Sequence, residues 1–158
     1  MSEYFATVAW ERDGARFVDN RYGRAHRWEF DGGAVVPASA SPYIVPAPLS
    51  DPAAVDPEEA FVASIASCHM LFFLSFAAKR GLLVESYRDE AVGAMAKGAD
   101  GRAWVATVTL RPHTVFAGEP PAEEILRELH DQAHHACFIA NSVKTEIRVE
   151  PPDALEPG

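Results

Sequence analysis

The stretch from Asp56 to Ala78 limits what this chain can fold into more than any other, because almost every position after Glu59 is apolar. Its start is written as a helix start. Asp56 is placed to cap the first free backbone N–H groups, and Pro57 suits the first helical position because it has no N–H to leave unpaired. Glu59 completes the Asp-x-x-Glu spacing of a capping box. Lys79-Arg80-Gly81 is an equally definite stop, with positive charge in the last turn and a glycine able to leave by the left-handed conformation. The spacing predicts one helix of roughly six turns. Phe61, Val62, Ile65, Met70, Leu71, Phe72, Phe73, Leu74 and Phe76 leave it no continuous polar face, so it is either buried at the centre of a protein or spans a membrane. Phe61 to Ala78 is close to the shortest span of a bilayer, roughly 18 residues. Yet Ser64, Ser67, Cys68, His69 and Ser75 interrupt it, and no second hydrophobic segment exists. The sequence favours a buried central helix. Part of it is expected in a subunit interface, since so short a chain does not easily cover a helix on every side.

With 158 residues, 48% of them hydrophobic, the chain is long enough for a single domain over 1–158 with a real core. A formal net charge of −9 argues against nucleic acid or an anionic membrane as partner, since both need a basic footprint. Met-Ser-Glu-Tyr at the amino terminus lacks the basic and apolar regions of a secretory signal, so a cytoplasmic protein is expected. The two cysteines, Cys68 and Cys137, are too few and too far apart for a disulfide framework. In a reducing compartment they are either buried thiols or a redox pair.

Tyr4 to Trp10 reads as a first strand, turning at Arg12-Asp13-Gly14, and Arg21 to Phe30 as a second, ending at the hairpin signal Asp31-Gly32-Gly33. Ala34 to Ser39 returns. The prolines between Pro37 and Pro57 make a stiff, extended connector. After the central helix, Ser86 to Ala96 is read as one strand, and Trp104 to Leu110, rich in β-branched residues, as another. Pro120-Pro121 opens a second helix on which Ile125, Leu126, Leu129, Ala133 and Ala136 share a face, with Cys137 at its end. Lys144 to Val149 closes the fold, and a Pro-rich acidic tail is expected to fray. Strands, helix, strands, helix, strand is the order of an α+β domain.

Cys68 is the first candidate for chemistry. Its bland reading is a small buried hydrophobe, inert because burial raises a thiol pKa. The helix dipole acts only within the first turn, and Cys68 lies about 18 Å beyond the cap. A reactive Cys68 therefore needs a cation from elsewhere, and Arg suits because it stays charged when desolvated. Arg24 and Arg27 in the second strand are the candidates, on opposite faces by alternation, with Arg12 a weaker one. A metal site built on Cys68, His69, Cys137 and His134 or His135 lacks any short ligand spacing, so these histidines read as neutral groups near a partly wet site.

Asp56-Pro57-Glu58-Glu59 followed by Ser67-Cys68, with a lone second cysteine before Asn141, resembles the OsmC and organic hydroperoxide resistance family. The element order fits over nearly the whole chain, so an OsmC-like fold is expected: antiparallel sheets with a long buried helix, in an intertwined homodimer. The resemblance implies a cofactor-free peroxidase of oxidative-stress defence that reduces organic hydroperoxides. In it Cys68 is the peroxidatic thiol, Cys137 the resolving thiol, Glu58 the carboxylate, and Arg24 or else Arg27 the guanidinium. It also implies a dithiol reductant, typically a lipoylated protein. His69 after the first cysteine and Phe138 after the second depart from the family's usual pattern. The alternative is a non-catalytic OsmC-like binding or stress protein whose cysteines only pack. Glu58 and Cys68, ten positions apart on one helix, are separated by roughly 15 Å along its axis. Glu58 is then expected to act through an arginine or from a partner chain.

Overall fold

The computed structural model describes residues 1–150, so the acidic tail expected to fray lies outside the described residues. Contacts divide the chain into two compact units, the first running from Met1 to Ala60 and the second starting at Phe61.

The first unit holds a three-stranded antiparallel sheet of β1 (Ala6–Ala9), β2 (His26–Phe30) and β3 (Val35–Ala38), in the order β1-β2-β3. Arg12 to Ala15 and Phe30 to Ala34 form the two predicted turns, each closed by backbone hydrogen bonds. The second strand begins at His26 rather than Arg21. Up to that point the chain is held by local contacts, among them the Trp10 indole N–H donating to the Gly23 carbonyl at 2.8 Å. The Pro-rich connector is a run of tight turns and not the extended segment expected: Ile44 and Val45 N–H donate to Ser41 O, Leu49 N–H to Pro46 O and Ala54 N–H to Asp51 O. Its ends are tied by Val55 N–H to Pro37 O and Ser39 N–H to Val55 O, both at 3.0 Å.

The helix α1 (Pro57–Lys79) is unbroken and begins as its sequence dictates. Glu59 N–H donates to Asp56 Oδ1 at 2.8 Å, and Asp56 N–H donates back to Glu59 Oε2 at 3.2 Å. That reciprocal pair is a complete capping box. At the other end Gly81 takes φ +73°, and Leu82 N–H reaches back to Ala77 O at 3.0 Å. A side chain other than glycine is strained in that region. One stripe of α1 is buried, Ile65, His69, Phe73 and Ala77, at the four-residue spacing of one helix face, whereas Ser64, Ser67, Leu71 and Ser75 on the opposite side are exposed. Alone among the described helices α1 is long and apolar enough to cross a bilayer, yet its buried stripe belongs to both core clusters, the place of a central helix in a core.

In the second unit, Ser86 to Ala96 is two strands rather than the single one expected: β4 (Val84–Asp89) and β5 (Val92–Lys97). The break follows Asp89, whose Oδ1 accepts the Arg111 N–H at 2.7 Å and anchors the corner between two ribbons. β4 pairs antiparallel with β7 (Pro112–Phe116), a strand not anticipated because its short, proline-led sequence carries no polar–apolar alternation. β5 pairs antiparallel with β6 (Ala103–Leu110), and β6 pairs with β8 (Glu146–Val149) in parallel, the one departure from all-antiparallel pairing among the described strands. Gly93 lets β5 lie close over α1: a Cβ there would stand 2.6 Å from Val62 Cγ2. Ile65, Val108 and Leu110 form one core cluster, and Phe73, Ala77, Leu129 and Ala133 the other, the last two from α2 (Glu123–Ala136).

The capping box makes a quantitative prediction. Asp56→Ala removes the only side-chain acceptor for the Glu59 N–H and should lower the unfolding free energy by about 1 kcal/mol, measured by urea denaturation at neutral pH.

Candidate active site

The two sulfurs meet. Cys137 ends α2, with its N–H donating to Ala133 O at 2.9 Å and its backbone already extended at φ −62°, ψ 115°. The chain then folds into a short 3-10 turn that locks the cysteine from the far side. Asn141 N–H donates to Cys137 O at 3.0 Å, Ala140 N–H to Cys137 Sγ at 3.4 Å, and Asn141 Nδ2 to His135 O at 3.0 Å. Held this way, the Cys137 thiol is buried and close enough to the half-buried Cys68 thiol for the two to influence each other's ionisation.

The surroundings separate the two thiols chemically. Burial, and then the neighbouring Cys68 thiol, push the Cys137 pKa up to about 11, partly offset by the Ala140 and Ile139 N–H groups. Cys137 therefore keeps its proton across the neutral range. Around them lies an apolar margin. Phe72, one turn beyond Cys68 on α1, meets Phe138 edge to face at 5.1 Å, and Phe138 is 70% exposed directly after Cys137. Both cysteines are free thiols, and no group of three or more His, Cys, Asp or Glu side chains able to hold a metal ion occurs among the described residues.

The remaining predicted residues lie in the first unit. Glu58 is half-buried in the first turn of α1. Arg27, exposed on β2, is neutralised by an ion pair with Glu29. The half-buried Arg24 has only neutral partners: it donates to Asn20 O at 3.2 Å, to Asn20 Oδ1 at 2.9 Å and to Tyr22 O, and lies 3.6 Å above the Tyr22 ring. The predicted alternation holds here, with Arg24, His26 and Trp28 half-buried and Ala25 and Arg27 exposed.

His69, expected as a neutral group near a partly wet site, lies in the dry interior instead. It is 1% exposed, and its Nε2 stands 3.0 Å from Nδ1 of His130, the rings stacked 5.3 Å apart. His130, itself buried, stacks on Phe73 at 4.5 Å. Sequence reasoning missed His130, although it stands four positions after Leu126 and three before Ala133, on the apolar face of α2. Burial lowers the pKa of His69 to about 3, with His130 and His134 adding repulsion, and that of His130 to about 4. Both rings are neutral at pH 7, and His69 Nδ1 has no partner among the described residues.

A profile of the OsmC-like protein family matches residues 50–151. An OsmC-like protein of unknown function from Vibrio cholerae shares 56% identity over 96% of this chain and 99% of its own, with a TM-score of 0.93. The fold is also that of an organic hydroperoxide resistance protein from Elizabethkingia anophelis (15% identity, 96% and 94% coverage, TM-score 0.70). The same holds for OhrB of Bacillus subtilis (20% identity, 95% and 98% coverage, TM-score 0.64). No curated protein matches the chain in sequence.

The histidine pair fixes a pH response. Both folded pKa values lie below the ordinary 6.5, so the pair's contribution to stability is complete above pH 6.5 and falls as pH drops toward 4, where the unfolded chain binds protons that the folded one refuses. The thermal transition should fall between pH 6.5 and 4.5, and His130→Leu should flatten that fall in scanning calorimetry. With a matched profile over more than half of its length and a relative of 56% identity, this chain belongs to the OsmC-like protein family.

Proposed function

We propose that this protein is a thiol-dependent peroxidase that reduces organic hydroperoxides, with Cys68 as the attacking sulfur and Cys137 as the resolving one. The observation that carries the reading is the contact between an accessible Cys68 and a buried Cys137 that holds its proton. The asymmetry supports this division of roles. The Cys68 thiolate attacks one peroxide oxygen, the O–O bond breaks, and the departing alkoxide takes up a proton to leave as an alcohol. Cys68 is then a sulfenic acid. Cys137 gives up its proton and attacks that sulfur, water leaves, and the product is a Cys68–Cys137 disulfide. A dithiol reductant restores both thiols by exchange and is itself oxidised, chemistry suited to a reducing cytoplasm. A lipoylated protein fits that part.

The exposed Phe138 and the neighbouring Phe72 favour an organic peroxide over hydrogen peroxide, because both leave apolar surface beside the sulfurs. Arg24 is the better choice for the activating guanidinium, since Arg27 already spends its charge on Glu29. Glu58 is assigned the carboxylate role on the family resemblance. A homodimer is supported by the apolar side chains that a single chain leaves in water: Phe5 (64%), Ile44 (68%) and, on α1, Leu71 (62%).

Turnover of cumene hydroperoxide in the presence of a dithiol tests the reading. Cys68→Ser should abolish it. Cys137→Ser should still react once per chain and then over-oxidise. Arg24→Gln should slow turnover by about tenfold or more, the loss of one charge-assisted interaction, with Arg27→Gln close to wild type. Unchanged thiol content on adding the peroxide would return the cysteines to a packing role.

A further inference from the structure

The peroxide chemistry leaves unused the buried imidazole pair that joins the two cysteine-bearing helices. His69 is the residue after Cys68 on α1. His130 precedes Cys137 by seven positions, two helical turns, and so shares its face of α2. Among the described residues, their 3.0 Å contact is the one side-chain hydrogen bond between buried residues of α1 and α2. Beside this pair the buried contacts between the two helices are those of an apolar cluster, Phe73, Ala77, Leu129 and Ala133.

Apolar contacts favour nearness without fixing register, whereas a buried hydrogen bond is lost within a few tenths of an ångström. Disulfide formation asks for that kind of precision. The Cβ atoms must come within about 3.5–4.5 Å, and a slip of one residue along a helix moves a side chain by about 1.5 Å along the axis and swings it round by more. Phe73 stacked on His130 holds the second ring in plane, so the pair has a defined geometry rather than a merely wet one.

We propose that His69 and His130 are positioning residues: their hydrogen bond holds the end of α2 in register with α1, and so sets how readily Cys68 and Cys137 join. The inference rests on the disulfide of the reading above but not on the peroxide. It is therefore tested with a disulfide exchange buffer alone.

Full-length protein is equilibrated with mixtures of oxidised and reduced dithiothreitol, and the disulfide fraction is read from intact mass. His130→Leu keeps the apolar packing but removes the hydrogen bond. It should shift the equilibrium toward the dithiol by about tenfold, which is about 30 mV for a two-electron couple. His130→Asn, whose amide reaches the place of Nδ1, should restore most of that loss. A folded His130→Leu with the wild-type equilibrium overturns the proposal, and so does an Asn variant as impaired as the Leu one. Should His130→Leu not fold, His69→Leu is read in the same way. Should neither fold, the His130 ring titration followed by NMR in the two redox states of the wild type decides. Asp131 beside His130 and His134 near His69 are the charged or titratable groups that face the pair. Tenfold coupling requires the ring pKa to be about one unit lower in the disulfide form, and equal values overturn the clamp. A wild-type chain that forms no Cys68–Cys137 disulfide in any mixture sinks the peroxidase reading and this inference together. A wild type that does so with unaffected variants sinks this inference alone.

Discussion

The structure turns on the contact between a sulfur in the middle of α1 and a sulfur at the end of α2. Neither position is reactive by its own local structure. Cys68 is too far along its helix for the dipole, and Cys137 is buried and pushed toward the protonated form. Each becomes chemically meaningful only through the other. The long helix has to be straight and unbroken, the second helix has to end at that level, and the turn after it has to hold Cys137 in place. Capping at Asp56, the exit at Gly81, and the Ala140 and Asn141 N–H groups supply these conditions.

The core around that contact is polar in an unusual place. Two neutral imidazoles lie between layers of hydrocarbon, and one ring nitrogen is left without a partner among the described residues. Such an arrangement costs about 1–3 kcal/mol relative to a satisfied one. Leucine and phenylalanine at these positions would pack without that cost. A buried polar pair that persists despite it suits a role in fixing geometry rather than in adding stability, which is why the pair and the sulfurs belong to one account.

Much of this was legible in the sequence because it rests on local chemistry. The capping box at Asp56 and Glu59, the glycine stop at Gly81, the hairpin at Asp31-Gly32-Gly33 and the end of α2 at Cys137 each depend on residues within one turn of one another. What escaped depends on distant partners. The corner at Asp89 is set by an N–H of Arg111, and β7 exists because β4 offers it an edge. The burial of His69 depends on a histidine sixty-one positions away. The α1 helix shows the same limit. Its composition announces a helix without a polar face, yet only the folded chain distinguishes the buried stripe of Ile65, His69, Phe73 and Ala77 from the exposed side bearing Leu71.

The central claim is that these two sulfurs, and no other groups, form the working pair. The most direct measurement is peptide mapping of the reduced protein after one equivalent of cumene hydroperoxide, without reductant. The account predicts a peptide containing Cys68 joined to the peptide containing Cys137, two hydrogens lighter than the sum of the separate peptides. Recovery of both peptides as unmodified thiols, or of oxidation at Cys137 with Cys68 untouched, would contradict it.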